Sequence, residues 1–201
     1  MDLYATKGAA NARLTPLVDR LAAAGVTPDQ VTLAALPVAI LGGACLIASS
    51  TAPILLLVVP LLVVLRLVLN LIDGNLARRT GRIHARGELY NELGDRLADI
   101  ALLAPAALLP GAWPEVVLLG VLGAVLASYV GVAARAAGGD RIYRGILSKP
   151  GRMALLVICS IWAFVAGPPD NMAWAAFGPL LLLGTTLTLV ERISIAVRRL
   201  E

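Results

Sequence analysis

Long apolar runs, separated by short polar stretches, follow one another from residue 31 to the end of the chain. Because the hydrocarbon core of a bilayer needs about 20 apolar residues per helix, runs of this length indicate membrane spans. Six segments qualify, approximately residues 31–49, 53–76, 88–109, 114–134, 152–166 and 172–195. The pattern therefore predicts an all-α membrane protein with six transmembrane helices.

The segment before the first run is too polar to cross a bilayer, but residues 3–23 carry a helical repeat. Apolar residues recur at the i, i+3, i+4, i+7 spacing, at Leu14, Leu17, Val18 and Leu21. This spacing predicts an amphipathic helix that lies in the membrane interface, and a helix packed on the cytosolic ends of the spans explains it equally well. We divide the chain into this N-terminal helical region, residues 1–26, and a six-helix domain, residues 27–201.

The junction between the two regions carries the residue types that end and begin helices. Gly25 is suited to end the first helix. Thr27 is suited to cap the next helix, with Pro28 at the first helical position and Gln30 three residues after the cap. The sequence therefore predicts a capping box at the start of the first span.

Composition and charge support a membrane protein and give its orientation. The chain is 59% hydrophobic and only 15% charged, whereas ordinary globular domains carry about a quarter charged residues. Lys and Arg lie at both ends of the chain and in two alternate connections, and the other three short connections have none. The positive-inside rule then places both termini and the basic loops in the cytosol, as expected for a multi-pass protein of the inner (plasma) membrane. This distribution argues against nucleic acid as the reason for the net charge of +4.

Ionisable residues inside two predicted spans point to a functional site. A charged side chain at the centre of a span costs about 2.5–3.5 kcal/mol on insertion scales, so such residues usually serve a purpose. The second span carries Arg66, Asn70 and Asp73 on one face, because they are spaced four and three residues apart. The third span carries a stripe of polar residues about 100° wide, at Glu88, Asn91, Glu92, Asp95 and Asp99. We expect the two stripes to converge near the cytosolic ends of their helices.

Oxygen-bearing side chains on two facing helices are suited to a hard cation. Mg²⁺ and Mn²⁺ are bound by such oxygens and bridge phosphate groups. Small residues at Gly74, Ala77 and Gly87 would let a bulky ligand approach the backbone, and nearby arginines can hold phosphate. The residues therefore predict chemistry on a diphosphate at the membrane surface.

The stretch from Asn70 to Asp95 resembles the CDP-alcohol phosphotransferase signature, D-x2-D-G-x2-A-R-x8-G-x3-D-x3-D, with every spacing kept. It departs from that signature at Asn70 and Asn91, where the first and third aspartates belong. Residues 27–32, Thr-Pro-Asp-Gln-Val-Thr, resemble the T-P-N-x-V-T entry into the family's first span. The resemblance covers nearly the whole chain and implies six spans, cytosolic termini and a homodimer.

Carried over position by position, the resemblance implies roles for individual residues. The metal ligands for one or two ions of Mg²⁺ or Mn²⁺ would be Asp73, Asp95, Asn70 and Asn91. Asp95 would also be the catalytic general base. The CDP-alcohol would contact Asp29, Gln30, Val31, Thr32, Gly74, Ala77, Arg78, His84 and Gly87. Further acceptor or phosphate contacts are predicted at Arg66, Glu92, Asp99, Lys149 and Arg152.

Some of these residues also have a structural explanation that the sequence leaves open. Asp99 is as well suited to pair with Arg96 or Arg66 as to bind a ligand. His84 also fits a solvated loop residue that contacts no ligand. Lys149 and Arg152 also fit a simple positive-inside bias. Because asparagine is neutral, the site has lost two formal negative charges, which leaves the number of bound cations open.

The resemblance implies a phospholipid-synthesis enzyme that transfers a phosphatidyl group from a CDP-alcohol, CDP-diacylglycerol in our interpretation, to a hydroxyl acceptor and releases CMP. One alternative is a catalytically inactive family member that binds CDP-lipid or a partner, which the two asparagines favour. Another is a small transporter that uses its intramembrane carboxylates for ion coupling. The absence of internal sequence repeats argues against the transporter.

Overall fold

The structure, a computed structural model, describes residues 14–82, 84–167 and 172–200, and these ranges contain helices and no strand. The helices are α1, residues 14–23; α2, Pro28–Ala48; α3, Leu55–Thr80; α4, Ala85–Leu103; α5, Pro114–Ala136; α6, Lys149–Ala166; and α7, Met172–Leu200. A 3-10 helix, Ala104–Leu108, follows α4 directly. The predicted all-α fold is confirmed.

Five of these helices, α2, α3, α5, α6 and α7, are long and apolar enough to cross a membrane. The chain is therefore a multi-pass membrane protein. The third predicted span, residues 88–109, corresponds to α4 and the 3-10 helix. Because α4 carries a charged or polar residue on almost every turn, its 19 residues are much less apolar than the other spans. A sixth crossing, by α4, stays a prediction.

The junction of α1 and α2 has the predicted helix-end geometry. Gly25 adopts a positive φ of 76°, and the N–H groups of Gly25 and Val26 donate to the carbonyl oxygens of Ala22 and Leu21. This is the hydrogen-bond pattern of a glycine C-cap. Thr27 Oγ1 accepts from the Gln30 backbone N–H at 3.3 Å, while Gln30 Oε1 accepts from the Thr27 N–H at 2.9 Å. The capping box is confirmed.

The chain divides into two compact units. Unit 1 contains the described residues up to Leu41 together with Leu62–Ala98, and unit 2 contains Gly42–Leu61 and the described residues from Asp99 onward. In unit 1, Val18 of α1 packs with Val31, Ile72 and Leu76. Helix α1 therefore packs on α2 and α3, as the second interpretation of its apolar repeat expected. Residues 3–13 of that predicted helix lie outside the described ranges, and an interfacial position of α1 stays a prediction.

In unit 2, small residues allow α5 and α7 to pack closely. A Cβ added at Gly120 of α5 would lie 2.9 Å from Leu181 Cγ and 3.0 Å from the backbone nitrogen of Leu182. On α7, a Cβ at Gly178 would lie 3.1 Å from Val117 Cγ2. Glycine at both positions lets the helix backbones approach, as is common between membrane helices.

A buried arginine on α7 holds the connection between α5 and α6. The Arg192 guanidinium donates to the carbonyl oxygens of Ala127 at 2.7 Å, Arg144 at 2.8 Å and Tyr143 at 2.9 Å. The Lys and Arg residues near the C-terminal end, which include Arg192, served in the sequence only to assign the orientation. Its position within α7, several residues before the basic end of the helix, was the available hint that it faces protein.

Candidate active site

The polar faces of α3 and α4 meet inside unit 1, at Asp95. Asn70 Nδ2 donates to Asp95 Oδ1 at 2.6 Å. Arg66 Nη2, one turn earlier on α3, lies 3.3 Å from the same oxygen and 3.2 Å from the Asp95 carbonyl oxygen. The Arg66 side chain is fully buried, and the Asp95 side chain is 15% exposed. The carboxylate that we expected to be the general base is thus held by a guanidinium and an amide.

The other signature aspartate, Asp73, is in contact with the first turns of α2. Thr32 Oγ1 donates to Asp73 Oδ2 at 2.9 Å and also lies 3.2 Å from the Pro28 carbonyl oxygen. Asp73 is only 6% exposed, so its carboxylate is largely removed from bulk solvent. This hydrogen bond brings Thr32, predicted to contact the nucleotide, together with Asp73, predicted to bind the cation.

The start of α4 is also close to α2. His84 Nδ1 accepts a hydrogen bond from the Gly87 backbone N–H at 2.8 Å, and His84 Nε2 lies 3.9 Å from Asp29 Oδ2. A Cβ at Gly87 would lie 2.9 Å from His84 Cε1 and 3.2 Å from Asp29 Oδ1. Any larger residue at position 87 would therefore push the histidine and the aspartate apart.

Three further predicted nucleotide contacts lie along the last turns of α3. Arg78 is exposed, and its Nη2 donates to Asn75 Oδ1 at 2.9 Å. Its guanidinium lies over Gly74, since a Cβ there would be 3.7 Å from Arg78 Nη1. Ala77 is half-buried beside it. This part of α3 therefore presents one arginine and two small residues.

Two predicted nucleotide contacts on α2 are already engaged within the protein. The Gln30 side chain belongs to the capping box with Thr27. The Val31 side chain is 7% exposed and lies in the core formed with α1 and α3. Of the α2 segment, Asp29 and Thr32 therefore contact other candidate site residues through their side chains, whereas Gln30 and Val31 serve the helix end and the core.

The remaining acidic candidates are paired with arginines. Glu92 Oε2 lies 2.7 Å from Arg96 Nη2, one turn along α4. In unit 2, Asp99 Oδ2 accepts from Arg152 Nη2 at 2.8 Å, and both side chains are buried. The structural partner of Asp99 is thus Arg152, a pairing that sequence reasoning did not consider. Lys149 is the half-buried first residue of α6.

The oxygen atoms of this site are suited to a hard divalent cation that substrate phosphates also bind, and are too few to enclose a cation by protein alone. Within the described ranges, no three His, Cys, Asp or Glu side chains are grouped closely enough to hold a metal. Mg²⁺ is often bound by one or two carboxylates plus substrate phosphates, and Asp73 and Asp95 are the retained signature carboxylates. Asn70 directs its NH₂ group to Asp95, so its carbonyl oxygen is the atom left to bind a cation. Asn91 lies half-buried one turn before Asp95.

No family model matches the chain. It is 33% identical over 192 residues to inner membrane protein YnbA of Escherichia coli, covering 93% of this chain and 94% of that protein. It is 25% identical over 182 residues to archaetidylinositol phosphate synthase of Pyrococcus horikoshii, covering 90% and 89%. The chain belongs to the CDP-alcohol phosphotransferase family. Within this family it carries asparagine at positions 70 and 91 of the signature.

Solved structures show the same fold for this family member. The chain matches Mycobacterium tuberculosis phosphatidylinositol phosphate synthase with CDP-DAG bound, with a TM-score of 0.75 and 21% identity, covering 90% of this chain and 92% of that one. The same enzyme in complex with manganese and citrate gives a TM-score of 0.76 at 21% identity, covering 91% and 88%. At this identity the match establishes the fold.

Proposed function

We propose that this protein is a phosphatidyltransferase that moves a phosphatidyl group from CDP-diacylglycerol to a hydroxyl acceptor and releases CMP. The observation that carries the proposal is the contact of Asn70 with Asp95 at 2.6 Å, which joins the polar faces of α3 and α4 at the signature positions. Membership of the family supports the reaction class. The CDP-DAG bound to the mycobacterial relative supports the donor.

In this proposal the cytidine diphosphate lies along the cytosolic ends of α2, α3 and α4. Gly74 and Ala77 leave room for the ligand beside the backbone, and Arg78 supplies a guanidinium for a phosphate. Asp29, Thr32, His84 and Gly87 form the part of the site built from α2 and the start of α4. A divalent cation bound with Asp73 would neutralise charge on the diphosphate oxygens.

The transfer is a substitution at the β-phosphorus. The acceptor hydroxyl oxygen forms a bond to that phosphorus, the bond from it to the bridging oxygen breaks, and CMP leaves with that oxygen. Asp95 takes the acceptor proton, which requires its carboxylate to lie within about 2.6–3.2 Å of the attacking hydroxyl. Asn70 and Arg66 hold Asp95 by its Oδ1 and its backbone oxygen.

The proposal includes six crossings, with α4 as the third. A polar α4 is tolerated when its charged face is turned to protein or to a water-filled cavity. Because Arg78, Arg79 and Arg82 lie at or just after the end of α3, the positive-inside rule supports a cytosolic position for this end of the helix. A homodimer and acceptor contacts at Lys149 are further predictions.

A catalytically inactive family member is the second candidate, favoured by the loss of two carboxylates at Asn70 and Asn91. Such a protein would bind CDP-lipid without turning it over. Asp73 and Asp95 are retained in contact with residues of neighbouring helices, which supports an active site. A transporter is less favoured, because the same residues keep the spacing of the nucleotide signature.

The test is CMP release by purified protein given CDP-diacylglycerol, Mn²⁺ and a panel of hydroxyl acceptors. We expect acceptor-dependent CMP that falls about 10²–10⁴-fold in Asp95→Asn, the usual contribution of a general base. The matched control is Asp140→Asn, because the Asp140 side chain is 92% exposed and distant in sequence from the signature. Binding of CDP-lipid without CMP release across the whole panel would support the inactive relative instead.

A further inference from the structure

We propose that Arg66 is a built-in cation for Asp95, and that with Asn70 it positions this carboxylate without a metal ion, so that the site takes one divalent cation. The inference rests on the proposed function and deepens it, because it assigns the charge partner of the general base. Arg66 and Asn70 are positioning residues, since both act through Asp95.

The first observation is the burial of a charge inside an apolar helix. Arg66 is 0% exposed within α3, whose apolar window has a mean hydropathy of 2.8. A guanidinium in such a place is stable only when an anion and hydrogen-bond acceptors surround it. Arg66 Nη2 reaches both the carboxylate and the backbone oxygen of Asp95. The arginine therefore fixes the side chain and the backbone of one residue.

The second observation is the type of atom that Asn70 presents. Its Nδ2 lies 2.6 Å from Asp95 Oδ1, and an amide near a carboxylate turns its NH₂ donor toward it. An aspartate at position 70 would instead place two carboxylates in contact. Two such groups ionise together only if a cation lies between them, and otherwise they share a proton. Asparagine removes that requirement, and Arg66 supplies positive charge on the same oxygen.

The third observation is the charge of the four signature positions. Asp73 and Asp95 together contribute two formal negative charges, and Asn70 and Asn91 contribute none. Arg66 offsets the charge of Asp95. The remaining carboxylate, Asp73, interacts with Thr32. A second divalent cation at Asp95 would have to approach the guanidinium that already lies 3.3 Å from Oδ1. Like charges at this separation repel strongly in a site of low dielectric constant.

The experiment counts bound Mn²⁺ by electron paramagnetic resonance in purified protein titrated with Mn²⁺ and CDP. We expect one ion per chain in the wild type. In the double variant Arg66→Met with Asn70→Asp, two carboxylates meet without the arginine, and we expect two ions. Two ions in the wild type would overturn the proposal. So would one ion in a double variant that keeps the wild-type circular dichroism spectrum.

Steady-state kinetics test the positioning role separately. We expect Arg66→Met to lower kcat about 10–100-fold, the usual range for residues that orient a catalytic group, with little change in the KM for CDP-diacylglycerol. Arg66→Lys should restore part of kcat, because it restores the charge. The matched control is Arg79→Met on the same helix, which breaks an exposed ion pair with Asp19 and should change neither kcat nor the Mn²⁺ count. An unchanged kcat in Arg66→Met contradicts the role.

The two readouts keep this inference distinct from the proposed function. The Mn²⁺ count requires binding and no turnover, so it can be made on a protein that releases no CMP. One ion in the wild type and two in the double variant, without CMP release from any acceptor, would refute the phosphatidyltransferase and retain the built-in cation. CMP release together with two ions in the wild type would retain the phosphatidyltransferase and refute the built-in cation.

Discussion

At the residue scale, three arginines are buried in the described part of the chain, two of them against a carboxylate and one against backbone carbonyl oxygens. Arg66 contacts Asp95, Arg152 contacts Asp99, and Arg192 contacts backbone carbonyl oxygens. Burying a guanidinium costs several kcal/mol unless its hydrogen-bond donors are satisfied, so each of these contacts is needed for the fold. Forming these contacts adds little net stability, whereas removing one partner leaves a buried charge and lowers the free energy of unfolding.

The pair of Asp99 with Arg152 gives a direct stability prediction. Asp99→Ala leaves the Arg152 guanidinium buried without its carboxylate, which costs about 3–5 kcal/mol. We expect the apparent Tm of the purified protein in detergent to fall by on the order of 10 °C. Circular dichroism at the helix minimum measures this change.

The matched control removes both charges. Asp99→Leu with Arg152→Leu replaces the ion pair by apolar side chains, a change that is often neutral or stabilising. We expect its apparent Tm to lie well above that of Asp99→Ala. A double variant as unstable as the single one would show that the pair does more than neutralise a buried charge.

The sequence predicted which residues of the site lie on one helix face, because helical spacing alone determines that. It predicted the stripe of Arg66, Asn70 and Asp73, and the stripe that contains Asp95. It did not predict which side chains pair across helices. For Asp99 the sequence offered Arg96 and Arg66 as partners, whereas the structure pairs it with Arg152.

At the element scale, the connection between α5 and α6 is held by Arg192 of α7 and by Thr188, whose Oγ1 accepts from the Leu147 N–H at 2.8 Å. The connection has little regular structure of its own. Because a charged donor to a carbonyl contributes about 1.5–3 kcal/mol, Arg192 provides much of its order. Local unfolding of this connection should therefore depend strongly on Arg192.

We expect Arg192→Met to increase the rate of trypsin cleavage in this connection, at Arg141 and Arg144, by about tenfold or more. The reason is that each 1.4 kcal/mol lost raises the open population about tenfold. Fragment masses after limited proteolysis measure it. Arg198→Met, at an exposed position near the end of α7, is the control and should leave cleavage in this connection unchanged. An equal effect of both variants would refute the anchoring role.

Close packing of α5 on α7 makes a second prediction at this scale. Gly120→Val would place atoms against the Leu181 side chain and the Leu182 backbone, and we expect a loss of about 1–3 kcal/mol from overpacking. Gly94→Ala is the control, because its Cβ would lie at an ordinary 3.5 Å from Thr32 Cγ2. Thermal unfolding in detergent should show a lower apparent Tm for Gly120→Val only. A fall of the same size in both would contradict the packing argument.

The starts of two helices were predicted where local chemistry sets them, whereas the predicted span limits do not give the ends of the helices. The capping box fixes Pro28 as the start of α2, and Pro114 begins α5 as expected. Helix α3 continues to Thr80 and α7 to Leu200, beyond the span limits predicted at 76 and 195. The apolar pattern of a span is expected to end at the membrane surface, whereas the backbone hydrogen bonds of the helix can continue beyond it.

At the scale of the whole molecule, the proposal requires α4 to cross the membrane with the charged residues of the candidate site. The sides on which the connections lie test this crossing. If α4 crosses, the connections before α3 and after α4 lie on the same side, and the one between α5 and α6 lies opposite.

Cysteine labelling in intact cells tests this topology. The variants carry Cys45→Ala and Cys159→Ala, with a new cysteine at Thr51, Ala112 or Asp140. We expect a membrane-impermeant maleimide to label positions 51 and 112 from outside and position 140 only after permeabilisation. Labelling of position 140 in intact cells, with 112 protected, would mean five crossings.

We propose that Asp73, with the cytosolic ends of α2, α3 and α4, holds one divalent cation and the diphosphate of a CDP-alcohol beside Asp95. Calorimetry of CDP-diacylglycerol binding, with and without Mn²⁺, measures this directly. We expect Mn²⁺-dependent binding by the wild type that Asp73→Asn weakens at least tenfold and that Asp140→Asn leaves unchanged. Equal, Mn²⁺-independent binding by the wild type and Asp73→Asn would contradict it.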